Sequence, residues 1–327
     1  MTLSSARLRV AAMLAAMAIG APAAIAASAA GPLPGARALA VCAAAGPYWP
    51  TMTLALQGSS AWVACKEQSR VIRVDTKTGK TVKAVRLGAP VIAVASAFGS
   101  IWALDSTGTL DRLSPSSGKV VRRITLPARA AYNIWVGGGS VWVADDQGAQ
   151  VIRISPRTNA VVARAPVGDG PASMAFNGQT AWVVNHRDRV LSRINLATNR
   201  SSALTTLAGE APERMVWARG KLWITGRGTD LLEVDPADGS LEQTIEIGAS
   251  GIDIVADGDN LWVPTRNATV DPTGFPTMDT LKRVSASSGA VSTVAQANGR
   301  VDVHGMVARA GVVWISDNTR GRLYRIP

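Results

Sequence analysis

Short apolar segments separated by polar turns run along most of the chain, and seven of them share one pattern. Each carries a tryptophan between apolar neighbours, as in "GSIWALD" and "GSVWVAD". The seven tryptophans are Trp62, Trp102, Trp142, Trp182, Trp223, Trp262 and Trp314. Their successive spacings are 40, 40, 40, 41, 39 and 52 residues. A repeat of this length is typical of one four-stranded propeller blade, so the spacing predicts seven blades around an axis.

Four short strands recur in each unit, and we label them A to D. Strand A has an apolar residue eight positions before the tryptophan, and strand B contains the tryptophan. Strand C, such as "VIRVD" or "VIRIS", leads into a turn such as "DTKTGK" or "DPADGS". The Asp, Pro and Gly residues of these turns are those that a tight hairpin needs. Hairpin-linked strands without a helical period predict an all-β fold of antiparallel blades and exclude an α/β fold.

The two ends of the chain predict how the ring closes. The seventh unit stops at Pro327, after its strand C. The segment "ARALAVC" (36–42) precedes the first strand A and can supply the missing strand D of the last blade. Such closure removes both open edges of the ring. We therefore predict a single seven-bladed propeller domain over residues 36–327, preceded by a linker over 27–35.

The first 26 residues have the features of a secretory signal. Arg7 and Arg9 precede an alanine-rich apolar run, which Gly20 and Pro22 interrupt, and "AIA" at 24–26 suits a cleavage site. A membrane anchor would need about 20 strongly apolar residues without a break. The segment 1–26 thus predicts an exported protein, periplasmic or secreted, without a membrane span.

Composition narrows the classes of partner. The chain has two cysteines, Cys42 and Cys65. In an exported protein such a pair forms a disulfide more often than a metal site or a nucleophile. The net charge of +11 is spread along the chain without a nucleic-acid-binding motif. We therefore expect a monomer with a disulfide that binds a small molecule or a protein, and no nucleic acid.

Candidate site residues fall on one face of the predicted disc. In an antiparallel blade the start of strand A and the end of strand B lie together, beside the B–C and D–A loops, and we call this face the polar mouth. The candidate binding residues at these positions are Asp105, Asp145, Glu213, Arg214, Asp253, His304 and Asp317, with His186 one residue beyond the end of a strand B. The sixth B–C loop, "TRNATVDPTGFPTMDT" (265–280), is longer than the others. It should overhang the mouth with Phe275 as an apolar contact, unless it is a surface insertion without function.

The repeats carry the pattern "G.lW" before strand B and "I.RidP.tG" through strand C. This pattern resembles that of the streptogramin B lyase (virginiamycin B lyase-like) family and of the wider set of exported propellers with YVTN-type repeats. Those lyases open an ester ring by elimination with a divalent metal. The resemblance implies a base at His304, because His304-Gly305-Met306 matches the "HGI" element of the family. The family's "WFTE" glutamate should fall three residues after a tryptophan, where this chain has no Glu. Asp105, Asp145 and Asp317 occupy that position instead.

Two functions remain open from the sequence. The first is an exported propeller that binds a ligand or protein partner at the polar mouth without catalysis, in which His304 is only a hydrogen-bonded residue. The alternative is a metal-assisted lyase or hydrolase, with His304 as base and Asp317, Asp145 or Asp105 holding Mg²⁺ or Ca²⁺. Two distant histidines do not supply a zinc site. A quinone-dependent dehydrogenase is disfavoured by an aromatic content of 5%.

Overall fold

The computed structural model describes residues 32–43, 53–207, 211–267 and 277–327, and these ranges form a seven-bladed propeller. Each blade is an antiparallel sheet whose strands follow one another in chain order from the axis outward, except that the outermost strand of the last blade comes from the start of the chain. The innermost strands of neighbouring blades contact one another in an unbroken circle. The predicted all-β fold and blade count are therefore confirmed. None of the helices in these ranges is long and apolar enough to cross a bilayer.

The first four blades have regular strands. Blade 1 consists of β2 (Leu54–Gln57), β3 (Ser60–Cys65), β4 (Arg70–Asp75) and β5 (Thr81–Arg86), with a 3₁₀ turn at Lys66–Gln68. Blade 2 consists of β6 (Val91–Ala97), β7 (Ser100–Asp105), β8 (Thr109–Leu113) and β9 (Val120–Thr125). Blade 3 consists of β10 (Ala131–Gly137), β11 (Ser140–Asp145), β12 (Gln150–Ser155) and β13 (Ala160–Pro166). Blade 4 consists of β14 (Pro171–Phe176), β15 (Thr180–Asn185), β16 (Val190–Asn195) and β17 (Ser201–Thr206).

The last three blades include one split strand and the closure of the ring. Blade 5 consists of β18 (Pro212–Ala218), β19 (Lys221–Gly226), β20 (Asp230–Val234) and β21 (Leu241–Glu246). In blade 6 strand A is divided into β22 (Ser250–Gly251) and β23 (Val255–Asp257), which precede β24 (Asn260–Arg266), β25 (Thr280–Ser285) and β26 (Val291–Gln296). Blade 7 consists of β27 (Val303–Arg309), β28 (Val312–Asp317), β29 (Arg322–Ile326) and, from the start of the chain, β1 (Arg37–Ala40).

Closure of the ring occurs as predicted. Strand β1 pairs with β29, with Arg37 opposite Arg325 and Ala40 opposite Arg322. Cys42, just after β1, forms a disulfide with Cys65 at the end of β3, with 5.6 Å between the two Cα atoms. Because β1 belongs to blade 7 and β3 to blade 1, the disulfide fastens the last blade to the first.

The repeated tryptophans fill the spaces between blades. All seven side chains are at most 4% exposed. Trp62 of blade 1, for example, packs against Val94 and Ile101 of blade 2. The apolar residues eight positions before each tryptophan are buried as well: Leu54, Val94, Ile134, Met174, Met215, Ile254 and Met306. A blade cannot cover both of its apolar faces alone, so this packing explains why the blades form a ring.

An arginine in strand C ties each of the first four blades to the next one. Arg112 donates from Nε to Ser100 Oγ (2.8 Å) and from Nη1 to the carbonyl oxygen of Pro156 (2.7 Å) in the C–D turn of blade 3. Its guanidinium also lies 5.1 Å from the centre of the Trp102 ring. The equivalent arginines that reach the next C–D turn are Arg73, Arg153 and Arg193. We call this contact the arginine clasp.

Candidate functional site

Bulges at the start of strand A bring polar side chains to the polar mouth. In blades 2–5 and 7 the pairing of strand A with strand B shifts register directly after the first residue. The residue that follows, Tyr132 in blade 3, Glu213 in blade 5 and His304 in blade 7, is therefore outside the regular ladder. A bulge redirects side chains away from the strict alternation of a strand. This local geometry makes the start of strand A a suitable place for a site.

Four side chains meet over the central channel, and we call them the mouth cluster: Tyr132, Arg214, Asp253 and His304. Arg214 Nε lies 3.9 Å from Asp253 Oδ1, and the nearby Tyr132 side chain contributes to the raised pKa of Arg214. The charge of Asp253 in turn interacts with His304. These residues belong to blades 3, 5, 6 and 7, so the cluster draws on blades that are not all neighbours in the ring.

Arg214 and Asp253 set the electrostatics of the mouth cluster. Burial lowers the pKa of Arg214, but the Asp253 carboxylate, Tyr132 and Glu213 outweigh it, so that the pKa is raised. Burial raises the pKa of Asp253, although Arg214, the Ile254 N–H and His304 partly offset this rise. The arginine side chain keeps 28% of its surface exposed. The cluster therefore presents a fixed cation beside a carboxyl group that burial makes harder to ionise.

His304 has a carboxylate neighbour that the sequence interpretation did not include. Its Nε2 lies 3.3 Å from Oδ1 of Asp302, whose side chain is 2% exposed. Both atoms are buried and make no hydrogen bond of acceptable geometry within the described residues. Asp302 could have been found from its position two residues before the histidine in "VDVHG". Tyr132 was not among the predicted residues because it carries no charge.

The predicted residues Asp105 and Asp145 bind the loops of the polar mouth. Asp145 is fully buried, and its Oδ1 accepts from the backbone N–H groups of Arg129 and Ala130, both at 2.9 Å. Its Oδ2 accepts from Gln150 Nε2 at 2.7 Å. Asp105 is 5% exposed and accepts from the N–H groups of its own B–C loop, including that of Thr107 at 2.9 Å. These carboxylates hold loops in place.

Asp317 occupies the same position in blade 7 and is also fully buried. Its Oδ2 accepts from Arg320 Nη1 at 3.0 Å and from the Tyr324 hydroxyl at 3.4 Å. Burial raises the pKa of Asp317, while Arg320 and the N–H groups of Asp302 and Arg320 lower it by less. The ionised form of Asp317 is therefore less favourable in the folded protein than in the unfolded chain.

The destabilisation caused by Asp317→Asn should decrease as pH rises from about 4 to 7. A raised pKa means that the folded state binds the proton more tightly than the unfolded chain. The stabilisation that protonated Asp317 contributes is therefore complete below the unfolded pKa and is lost as pH rises through the folded pKa. Asn does not titrate, so the difference in stability between the two proteins decreases over this range. Urea unfolding of both proteins across this pH range measures the difference.

Asp259→Asn is the control of opposite sign. Hydrogen bonds from Ser285 and Ser287 lower the pKa of Asp259, so its contribution is present above the unfolded pKa and is lost as pH falls. The cost of Asp259→Asn should therefore grow with pH. Equal pH trends for the two variants would contradict the assignment of Asp317.

The other predicted residues lie at the rim of the mouth or outside the described ranges. Glu213 Oε1 pairs with Arg227 Nε at 3.2 Å, and the arginine side chain is 65% exposed. The His186 N–H donates to the carbonyl oxygen of Gly170 at 2.9 Å, which joins the B–C loop of blade 4 to its D–A loop. Phe275 lies outside the described residues, so its place over the mouth stays a prediction.

The assignment of Asp145 and Asp317 as metal ligands also stays a prediction. The two carboxylates belong to blades 3 and 7 and have the hydrogen bonds given above. In the described ranges no group of three or more His, Cys, Asp or Glu side chains is arranged to hold a metal ion.

The sequence matches no protein-family model and no curated protein. What is established is the fold, a seven-bladed propeller with its ring closed by an N-terminal strand. Because propellers of this architecture host many activities, the fold alone does not assign a function.

Proposed function

We propose that this propeller is an exported binding protein that takes a small anionic ligand at its polar mouth, with Arg214 as the anchor. The observation that carries the proposal is the position of the Arg214 guanidinium, which lies 3.9 Å from the Asp253 carboxylate, interacts with Tyr132 and remains partly exposed. Its Nη1 donates to the carbonyl oxygen of Glu213 at 3.1 Å, and its Nε is too far from Asp253 for a hydrogen bond. A guanidinium has five N–H donors, so donors remain for a carboxylate or phosphate.

The neighbouring pair of His304 and Asp302 supports a polar ligand at the same place. A buried polar atom without a hydrogen bond costs about 1–3 kcal/mol. His304 Nε2 and Asp302 Oδ1 are two such atoms. A ligand group or a water molecule that bridges them would remove this cost. Convergent polar groups in a concave site are the usual arrangement for orienting a small ligand.

A metal-assisted lyase or hydrolase is the second candidate, favoured by one observation. A carboxylate 3.3 Å from an imidazole is the kind of neighbour that orients a general base. The resemblance to streptogramin B lyases assigned the same role to His304. We prefer binding without catalysis because the carboxylates assigned to the metal, Asp145 and Asp317, already accept several hydrogen bonds from their loops.

The proposed location is outside the cytoplasm. The Cys42–Cys65 disulfide is consistent with an oxidising compartment, as a signal over residues 1–26 would require. The predicted signal lies outside the described residues and stays a prediction.

Arg214→Gln should weaken binding of a small anion at least tenfold. Titration calorimetry with citrate, succinate and phosphate first identifies which anion binds the native protein. The loss corresponds to about 1.4 kcal/mol or more, as expected when a charged donor is removed from a partly buried site. Arg227→Gln is the matched control, because it removes the same charge from the exposed rim of the same blade.

Two results would count against the proposal. Equal losses in both variants would mean that only the general positive charge attracts the anion. A thermal shift with Mg²⁺ or Ca²⁺ that EDTA reverses and that persists in Arg214→Gln would instead favour the lyase or hydrolase. In that case His304→Ala should abolish turnover without loss of the metal-induced shift.

A further inference from the structure

A second pocket lies on the face opposite the polar mouth, at the junction between blade 7 and blade 1. It has a volume of about 360 Å³. Four cationic side chains line it, and no acidic side chain does: Arg37, Lys77, Arg309 and Arg325. Leu56, Val312 and Trp314 form part of its wall. We call it the seam pocket.

The closure of the ring explains this excess of cations. Arg325 is the strand C arginine of blade 7, opposite Trp314 in the sheet, and the arginine clasp would direct it to the C–D turn of blade 1. There the carbonyl oxygens of Lys77 and Thr78 already accept from Arg37, at 2.6 and 2.7 Å. Arg37 comes from β1, the strand that closes the ring. The Arg325 side chain donates no hydrogen bond to another residue in the described ranges.

The acidic residue of the same turn does not neutralise the pocket. Asp75 Oδ1 accepts from the backbone N–H groups of Lys77 and Thr78 and from the Thr78 hydroxyl. These hydrogen bonds, first that from the Thr78 N–H, lower the pKa of Asp75. Asp75 is therefore committed to its own turn. Like charges brought together in this way repel one another, and a bound anion relieves that repulsion.

An apolar cavity adjoins the seam pocket. It occupies the channel end of that face, has a volume of about 490 Å³ and is lined by strand A residues of blades 7 and 1–4. Trp135, Val136, Phe176 and Ala308 are among its lining residues. Leu56 and Arg309 line both this cavity and the seam pocket, so the two are adjacent and meet at these side chains. We call the cavity the lower channel.

We propose that the seam pocket and the lower channel together bind an amphipathic anion such as a long-chain carboxylate. The carboxylate would lie among Arg37, Lys77, Arg309 and Arg325, and the alkyl chain would extend past Leu56 into the lower channel. Removal of the methylene groups from water favours binding, and pockets for small ligands have volumes of roughly 300–1,000 Å³. The site lies at the other end of the ring from the mouth cluster, so it is independent of the function proposed above.

The test is titration of the full-length protein with dodecanoate below its micelle concentration. We expect saturable binding of one molecule per chain, and a loss of at least tenfold in Lys77→Gln/Arg309→Gln. Both substituted side chains are exposed, so the double variant should fold. Lys83→Gln/Arg122→Gln is the control, because it removes two exposed charges from the strand D surfaces of blades 1 and 2. It should bind dodecanoate as the native protein does.

A second variant tests the apolar part separately. Val136 is 37% exposed and lines the lower channel, so Val136→Asp should weaken dodecanoate binding and leave unfolding by urea nearly unchanged. Dodecanol, which has the same chain without the charge, should bind at least tenfold more weakly than dodecanoate.

Three results would overturn the proposal. The first is no saturable binding of dodecanoate, and the second is an equal loss in the control double variant. The third is sedimentation of the protein with anionic phospholipid vesicles without binding of free dodecanoate, which would identify a membrane surface as the partner. Arg214→Gln should leave dodecanoate binding unchanged, which separates this site from the polar mouth.

Discussion

Reduction of the Cys42–Cys65 disulfide should lower the free energy of unfolding by about 3 kcal/mol. The two cysteines are 23 residues apart, and the bridge limits the conformations of the unfolded chain in this segment. It also acts on the folded ring. Strand β1 has four residues, and Leu39 is the one side chain of the strand that is buried. So short a strand has little packing of its own, and the disulfide keeps it beside β29.

Urea unfolding with and without dithiothreitol measures this effect, followed by tryptophan fluorescence. Cys42→Ser/Cys65→Ser should reproduce the loss and should not respond to the reductant. If the reduced protein and the double variant unfold at the native urea concentration, β1 closes the ring without help from the bridge. The reduced protein should also lose protection from hydrogen exchange first in β1 and β29.

The fold could be predicted from the sequence because one residue type repeats for a physical reason. Each tryptophan fills the space between two blades, where a smaller side chain would leave a cavity. The position of Trp142 therefore recurs at Trp182 and in the other blades, and the turns between strands recur with it. The closing strand and the disulfide followed from counting the strands and the cysteines.

The candidate site could be predicted only in part, because strand position does not determine where a side chain points. Asp145 and His304 both belong to the polar mouth by position. Asp145 pairs in register with Ala131 and turns toward its loops, whereas His304 lies in a bulge next to the channel. Neither the bulge nor the reach of Arg214 to Tyr132 has a signature in a single sequence.

The seam pocket could not be predicted for a different reason. Arg325 repeats the strand C arginine of blades 1–4 in the sequence, which favours the same clasp in blade 7. Only the folded ring reveals that Arg37, from the opposite end of the chain, binds the C–D turn that Arg325 would otherwise reach. The repeat is broken where the two ends of the chain meet, and also in blade 5, where Glu233 lies opposite Trp223.

Asp145→Ala should lower the free energy of unfolding by about 2–3 kcal/mol, and this cost tests whether the residue is structural. The buried carboxylate accepts from two backbone N–H groups and from Gln150. Removing it leaves these donors without an acceptor in a place with little access to water. A residue placed in a cleft for binding has the opposite signature, because its replacement usually leaves stability unchanged or increases it.

The adjacent Asp146 is the matched control for this prediction. It forms an ion pair with Arg187, whose side chain is 41% exposed, so Asp146→Ala should cost less than about 1 kcal/mol. Both variants are measured by urea unfolding, and each folded protein is titrated with the anion that binds Arg214. We expect Asp145→Ala to bind it with native affinity, because its contacts are to its own loops. A stable Asp145→Ala protein that no longer binds the anion would show that Asp145 is a binding residue, as the sequence alone predicts.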